Sequence, residues 1–293
     1  MTNMVQESPH RSATTHGIRS VARQLRRHKG AFAGLLVLLL LSLVALSAPL
    51  LAPYDPLKVQ ARKALRPPSG EFFLGTDQYG RDVLSRTLYG TRISLLVGCI
   101  SVSIATVCGL LIGLVAGYYG GMVDNLCMRC MDIMLAFPGI LLALAIVSIL
   151  GPSLANLMIA VGISAIPAYA RLVRGAVLSA KQNLYVEAAR VVGCSSGTIL
   201  FRHILPNVAA PVIVLCTLGM GSAILAAAAL SFLGLGSQPP TPEWGRMLSE
   251  GRAYLREHWW IATTPGLAIL ITVLATNLLG DGLRDALDPR LKV

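Results

Sequence analysis

Six stretches of this chain are long and apolar enough to cross a lipid bilayer, and this limits what it can fold into. A hydrocarbon core of about 30 Å needs roughly 20 mostly apolar residues per helix. Residues 31–52, 93–117, 132–150, 154–174, 208–234 and 260–281 each supply such a run. The first, from Leu35 to Leu51, starts too deep in the chain and is too long for a cleavable signal peptide, so it is read as a span. Composition agrees: 54% of residues are hydrophobic and 13% charged, whereas soluble domains carry about 25% charged residues. The expected fold class is therefore an all-α integral membrane protein with six transmembrane helices.

The net charge of +11 could suggest nucleic acid, but no nucleic-acid motif or aromatic-interleaved basic groove is visible. The basic residues flank spans, where they anchor helices and set orientation. With the N-terminal tail placed inside, 15 of the 25 Lys and Arg residues fall on the inner side and 10 on the outer. The bias is weak because the loop after the first span is itself basic. In the tail, Ile18, Val21 and Leu25 recur at helical spacing among Arg19, Arg23, Arg26 and Arg27. That pattern fits a short basic helix on the membrane surface as well as an unstructured tail.

Several features speak to packing rather than to a ligand. Small residues recur every fourth position at Ser101, Ala105, Gly109, Gly113 and Gly117, and again at Gly219, Ala223, Ala227 and Ser231. Such seams let helix backbones approach closely in lipid. Val83, Leu84, Leu88 and Leu95 share a helical face, so an amphipathic helix is expected to lead into the second span. Pro138, Pro167, Pro206, Pro211 and Pro265 lie in or beside spans, where proline can kink a helix. Trp259 and Trp260 are expected at the water interface. None of the six cysteines falls in an expected external loop, so no disulfide framework is expected. Cys127-x-x-Cys130 has no second pair or nearby His, and zinc needs about four ligands; no metal site is expected.

The membrane interior offers no private energy source. Asp132, Arg171 and Asp281 sit near expected cytoplasmic span ends, where their side chains can reach water. A proton-coupled carrier would need a mid-membrane acid or His, and a cation pore an acidic ring. A membrane enzyme would need a nucleophile–base or metal constellation, and His203 and His258 are isolated. None of the five lysines, Lys29, Lys58, Lys63, Lys181 and Lys292, has the Gly-x4-Gly-Lys setting that holds ATP phosphates. No catalytic residue and no cofactor is expected on this chain.

The polar island at 187–206 is the most informative segment for function. Leu184 to Gly193 reads as a short helix with Leu184, Ala188 and Val191 on one face and Glu187 and Arg190 on another. Gly193 permits a sharp turn. Ser195 or Ser196 can cap a second helix over 197–205, and Pro206 either ends it or opens the next span. On physics alone this is an ordinary interspan loop or a knob for a protein partner.

The pattern Glu187-Ala188-Ala189-x3-Gly193, followed by Leu205-Pro206, resembles the EAA signature of binding-protein-dependent ABC importer permeases. His203 stands where an apolar residue is usual, and Arg202-His-Ile-Leu-Pro-Asn207 is similar to the peptide-transport branch. Leu74-Gly-Thr-Asp-x-x-Gly-Arg-Asp82, Ser231 to Gly245 and Asn277 to Pro289 resemble the C-type subunit of dipeptide and oligopeptide permeases. Ala136 to Ala143 and Ile166 to Gly175 are most similar to the glutathione-importer version.

The resemblance implies a type I ABC importer permease fold. Its expected parts are a cytoplasmic tail (1–29), a first transmembrane helix (30–52), an external loop (53–91), a five-span core (92–284) with a coupling loop at 175–207, and a cytoplasmic C-terminal tail (285–293). It implies a heterodimer with a B-type permease subunit in the bacterial inner membrane, two ABC ATPase subunits that bind the ATP, and an extracytoplasmic solute-binding protein. Glu187, Ala188, Ala189, Gly193, His203, Leu205 and Pro206 are the implied ATPase-coupling residues. The implied cargo is a short peptide: a dipeptide, an oligopeptide or glutathione. A nickel-chelate importer permease is the alternative within the family, and a stand-alone carrier or channel the alternative outside it.

Overall fold

A computed structural model describes residues 28–287. The basic helix considered for residues 18–27 and the last residues of the C-terminal tail lie outside that range. The described chain contains α1 (Lys29–Leu51), α2 (Val83–Tyr119), α3 (Gly121–Leu135), α4 (Gly139–Leu150), α5 (Leu154–Lys181), α6 (Leu184–Val191), α7 (Leu205–Phe232), α8 (Trp244–Gly251) and α9 (Trp260–Leu287). Five helical stretches can cross a membrane singly, and α3 with α4 form a sixth candidate.

The helix expected to lead into the second span is continuous with it, and together they make α2. It runs 37 residues without interruption, about 55 Å at 1.5 Å per residue. The reason lies at its start: the Asp82 carboxylate accepts the Ser85 N–H at 2.7 Å and its hydroxyl at 2.6 Å. That cap fixes the first turn at Val83, and no Gly–Pro punctuation follows. The boundary expected at 91/92 therefore falls inside a helix.

The third expected span, 132–150, is not a single helix. α3 and α4 meet at an 89° bend across Ala136–Pro138. Hydropathy stays high through this stretch, but Pro138 has no N–H to continue the α3 hydrogen-bond ladder, and its carbonyl instead opens α4 by accepting Leu141 and Leu142 N–H groups.

α2 and α5 form the most extensive helix pair, along the small-residue seam. A side chain at Gly113 would place its Cβ 2.6 Å from the Ala170 carbonyl and from Val173 Cβ, and one at Gly117 would lie 2.8 Å from Val177 Cβ. The second seam serves α7: Ala223 and Ala227 are buried with Val97 of α2 and Leu157 and Val161 of α5. α1 lies outside this core against α9 and α2, turning Leu36, Leu39, Leu43, Leu46 and Leu50 outward. Gly113→Leu is expected to remove most folded protein from the membrane, because overpacking costs about 1–3 kcal/mol or more. Gly175→Ala on the same pair, where nothing lies within 4 Å, is expected to be tolerated. The monodisperse peak of detergent-extracted protein checks both.

The two ends of the bundle are built differently. At one, hereafter the loop end, residues 52–82 fold against α8 and the start of α9. Trp260 is buried and donates its indole N–H to the Thr76 carbonyl at 3.2 Å, so only Trp259 takes the exposed position expected of both. Trp244 is likewise buried and donates to the Thr87 carbonyl at 3.1 Å. The same end holds a buried ionic cluster. Arg81 donates from Nε to Asp77 Oδ2 at 2.6 Å and from Nη2 to Glu250 Oε2 at 2.9 Å. Arg86 stands 3.5 Å from the same two oxygens, and Arg81 and Arg86 are only 3% and 2% exposed. Glu243 caps α8 through the Gly245 and Arg246 N–H groups at 2.8 and 2.9 Å. Burial pushes its carboxyl pKa up, against the downward pull of those two donors.

Candidate functional site

The opposite end carries α6. Its chain enters from α5 with only Gln182 and Asn183 between them. The Asn183 side-chain amide donates back to the Ala180 carbonyl at 3.1 Å. Lys181 Nζ donates to the Tyr118 carbonyl at 2.6 Å, while the Arg190 guanidinium lies 5.7 Å from the Tyr118 ring centre. These contacts join the last turn of α2 to the end of α5 and to the last turn of α6.

α6 closes where the glycine predicts. Gly193 N–H bonds to the Arg190 carbonyl and Cys194 N–H to the Ala189 carbonyl, both at 3.0 Å, the paired bonds of a Schellman motif. Gly193 has φ +83°, a left-handed conformation that costs any other residue a Cβ clash. Ser195 Oγ then accepts the Thr198 N–H at 3.3 Å, capping the next turn. The second helix does not stop at 205. It passes through a wide π turn, Ile199–Ile204, with Leu205 N–H bonded to the Leu200 carbonyl, and continues as α7. Pro206 therefore sits in the first turn of the long helix. It has no N–H to offer the Arg202 carbonyl, and the wide turn lies directly before it.

The implied coupling residues divide into two sets. Ala189 is buried with Val186 against Ile199, Leu200, Ile204 and Val208, and Leu205 packs on the same cluster. His203 is half-buried, and its backbone carbonyl accepts the Asn207 side-chain amide at 2.7 Å. Asn207 also donates to the Tyr185 hydroxyl at 3.1 Å, tying α6 to the root of α7. Glu187, Ala188, Gly193 and Pro206 are exposed. The face made by Leu184, Ala188 and Val191 points away from the bundle, with Leu184 81% and Val191 88% exposed. α6 is thus a rigidly mounted knob with an apolar tip and one acid beside it.

Two ion pairs near this end were not foreseen as pairs. Arg174 donates from Nη2 to Asp124 Oδ2 at 2.6 Å, and its Nε donates to the other oxygen. Arg171 donates from Nη2 to Asp132 Oδ1 at 2.6 Å. The sequence signal was the two arginines three apart and two acids eight apart, each set on one helical face; what hid the match was the unknown direction of α3. A cavity of about 350 Å³ lies among α2, α5 and α7, with Gly139 and Ile140 of α4 on its remaining side and no charged side chain in its lining.

The profile of the family described as binding-protein-dependent transport system inner membrane component matches residues 109–293. The chain belongs to that family. A second profile, the N-terminal TM domain of oligopeptide transport permease C, matches residues 18–68 of this permease. It is 53% identical to a di/tripeptide transport system permease protein of Pseudomonas aeruginosa, over 90% of this chain and 89% of the relative. Identity is 52% to a glutathione transport system permease protein of Pectobacterium atrosepticum, over 92% and 90%. It is 49% to a dipeptide transport system permease protein of Alkalihalophilus pseudofirmus, over 94% and 90%. Among solved structures, an amino acid ABC transporter crystallised with histidines shares the fold, with TM-score 0.55 and 15% identity over 69% of this chain and 94% of that one. The permease is thus a multi-pass inner-membrane component of an ABC importer that works with partner subunits, and a transport subunit rather than an enzyme.

Proposed function

We infer that this permease carries short peptides inward, driven by ATP hydrolysed on partner ATPases that bear on α6. One observation carries the peptide class. About half of all residues, over nine-tenths of the chain, are shared with permeases named for dipeptides, tripeptides or glutathione. The orientation follows from α6: its exposed tip of Leu184, Ala188 and Val191 beside Glu187 is a protein-binding surface, so that end faces the cytoplasm with both chain termini, and the loop end receives the solute-binding protein. A B-type permease subunit completes the pore, with two ABC ATPases below. Glu187 and Ala188 contact the ATPase, whereas Ala189, Gly193, His203, Leu205 and Pro206 hold the knob in position. Support for that division is the exposure of Glu187 and Ala188 against the burial of Ala189 and partial burial of His203 and Leu205, with exposed Gly193 and Pro206 assigned by backbone role, the one in the left-handed turn and the other in the first turn of α7.

The test is uptake by the complete transporter in proteoliposomes with its binding protein present, using labelled dipeptide, tripeptide and glutathione, with labelled nickel chelate as the competing arm. ATP-dependent uptake of at least one peptide is expected. Uptake of the chelate alone would overturn the peptide reading. Purified by itself, the permease is expected to hydrolyse no ATP.

A further inference from the structure

The 89° elbow between α3 and α4 forms one wall of the half-open cavity among α2, α5 and α7. Gly139 and Ile140, directly after the bend, face Ser101 of α2, Tyr169 of α5 and Ser222 of α7 across it. Whatever positions α3 therefore positions that wall. Two different kinds of contact hold α3 to α5. One is an apolar seam in which Met128, Met131 and Met134 lie against Ile163, Ile166 and Ala170 of α5 and Cys108 and Ile112 of α2. Methionine is unbranched and refills irregular gaps readily, so this seam tolerates sliding and does not select one register. The other contact is the pair of Arg–Asp bridges, Arg174 to Asp124 and Arg171 to Asp132, whose directional hydrogen bonds do select one. Both arginines belong to α5, which continues unbroken from them to Lys181 and then, after two residues, into α6.

We propose that Asp132–Arg171 and Asp124–Arg174 are positioning residues for transport: they latch α3 to α5, so that a push on α6 moves the Gly139–Ile140 wall of the cavity. This rests on the importer reading above. Rigid elements joined by ion pairs can carry such coupling, and the pliable seam lets the elbow move once the latch shifts. Asp132 and Arg171 are each about half exposed, and exposed pairs contribute little to stability. Their loss is therefore separable from unfolding.

The complete transporter in proteoliposomes, with its binding protein, gives the ratio of labelled peptide taken up to ATP hydrolysed. Asp132→Arg is expected to lower that ratio at least about fivefold, the low end of measured coupling effects, with hydrolysis within about twofold of the parent. The exchange Asp132→Arg with Arg171→Asp is expected to restore most of it. An unchanged ratio in the single variant, or a fully assembled exchange variant with no recovery, overturns the proposal. So does a parallel fall of uptake, hydrolysis and assembled complex, which marks a purely structural role.

A second measurement does not need a transported substrate. With the six native cysteines replaced, Phe137→Cys at the exposed elbow reports its surroundings to an impermeant maleimide. Trapping the complex with ATP and vanadate is expected to change the labelling rate when the latch is intact or exchanged, but not in Asp132→Arg. An equal response in all three overturns the latch. Failure of peptide uptake by the parent with this labelling pattern intact overturns only the importer reading.

Discussion

Glu187→Lys is expected to cut ATP-driven peptide uptake at least about tenfold while leaving the amount of assembled permease unchanged. Glu187 is exposed on α6 and forms no ion pair among the described residues, so its replacement costs the fold little; surface changes of this kind stay within about 0.5 kcal/mol. At an interface the same change sets like charges opposite one another or strands a partner's cation. That costs several kcal/mol, and each 1.4 kcal/mol is about a tenfold change in affinity. The measurement is paired: uptake, and ATP hydrolysis stimulated by the loaded binding protein. Parental values for both would remove Glu187 from the coupling surface. Ala189→Leu should behave oppositely, reducing the folded amount, because Ala189 is buried in the cluster that seats α6.

Arg81→Ala at the loop end is expected to cause a large loss of stability. The guanidinium bridges Asp77 and Glu250 and lies over the Tyr79 ring at 4.5 Å. Its removal leaves Asp77 with only Arg86 at 3.5 Å as a cation, and Glu250 with Arg86 at 3.5 Å and Arg246 at 3.2 Å; taking one partner out of a buried ionic cluster in this way costs about 3–5 kcal/mol. Arg81→Lys should recover only part of the loss, since an ammonium cannot reproduce the two-pronged contact. Thermal unfolding in detergent, followed through Trp244 and Trp260 fluorescence, reads the effect: their indoles bond to the carbonyls of Thr87 and Thr76, neighbours in sequence of Arg86 and Asp77. A midpoint unchanged in Arg81→Ala would mean that the cluster contributes no net stability.

What could be read from sequence followed from how local each feature is. The five long spans were legible because the bilayer demands a continuous apolar run. The turn at Gly193 was legible because positive φ has few candidates. The burial of Ala189 against Ile199 and Ile204 was not, since alanine carries no signal of which face it takes. The elbow was hidden because hydropathy measures content and not direction: residues 132–150 are apolar enough for a straight helix, and only Pro138 hinted otherwise. The ionic cluster was hidden for another reason. Glu250 and Arg81 are 169 residues apart, and nothing local marks them as partners. Trp260 was placed at the interface by its residue type, yet the Thr76 carbonyl satisfies its indole N–H and so lets it go under the loop.

α2 begins inside the ionic cluster and ends beneath α6, with no break in its 37 residues. A stiff rod about 55 Å long, pinned at one end, is a lever. A tilt of about 5° about the pinned end carries the other end through about 5 Å, close to one helical pitch. The firmness of the loop end therefore sets the mechanical gain at the α6 end. Softening the pin wastes motion there without touching a single residue of α6.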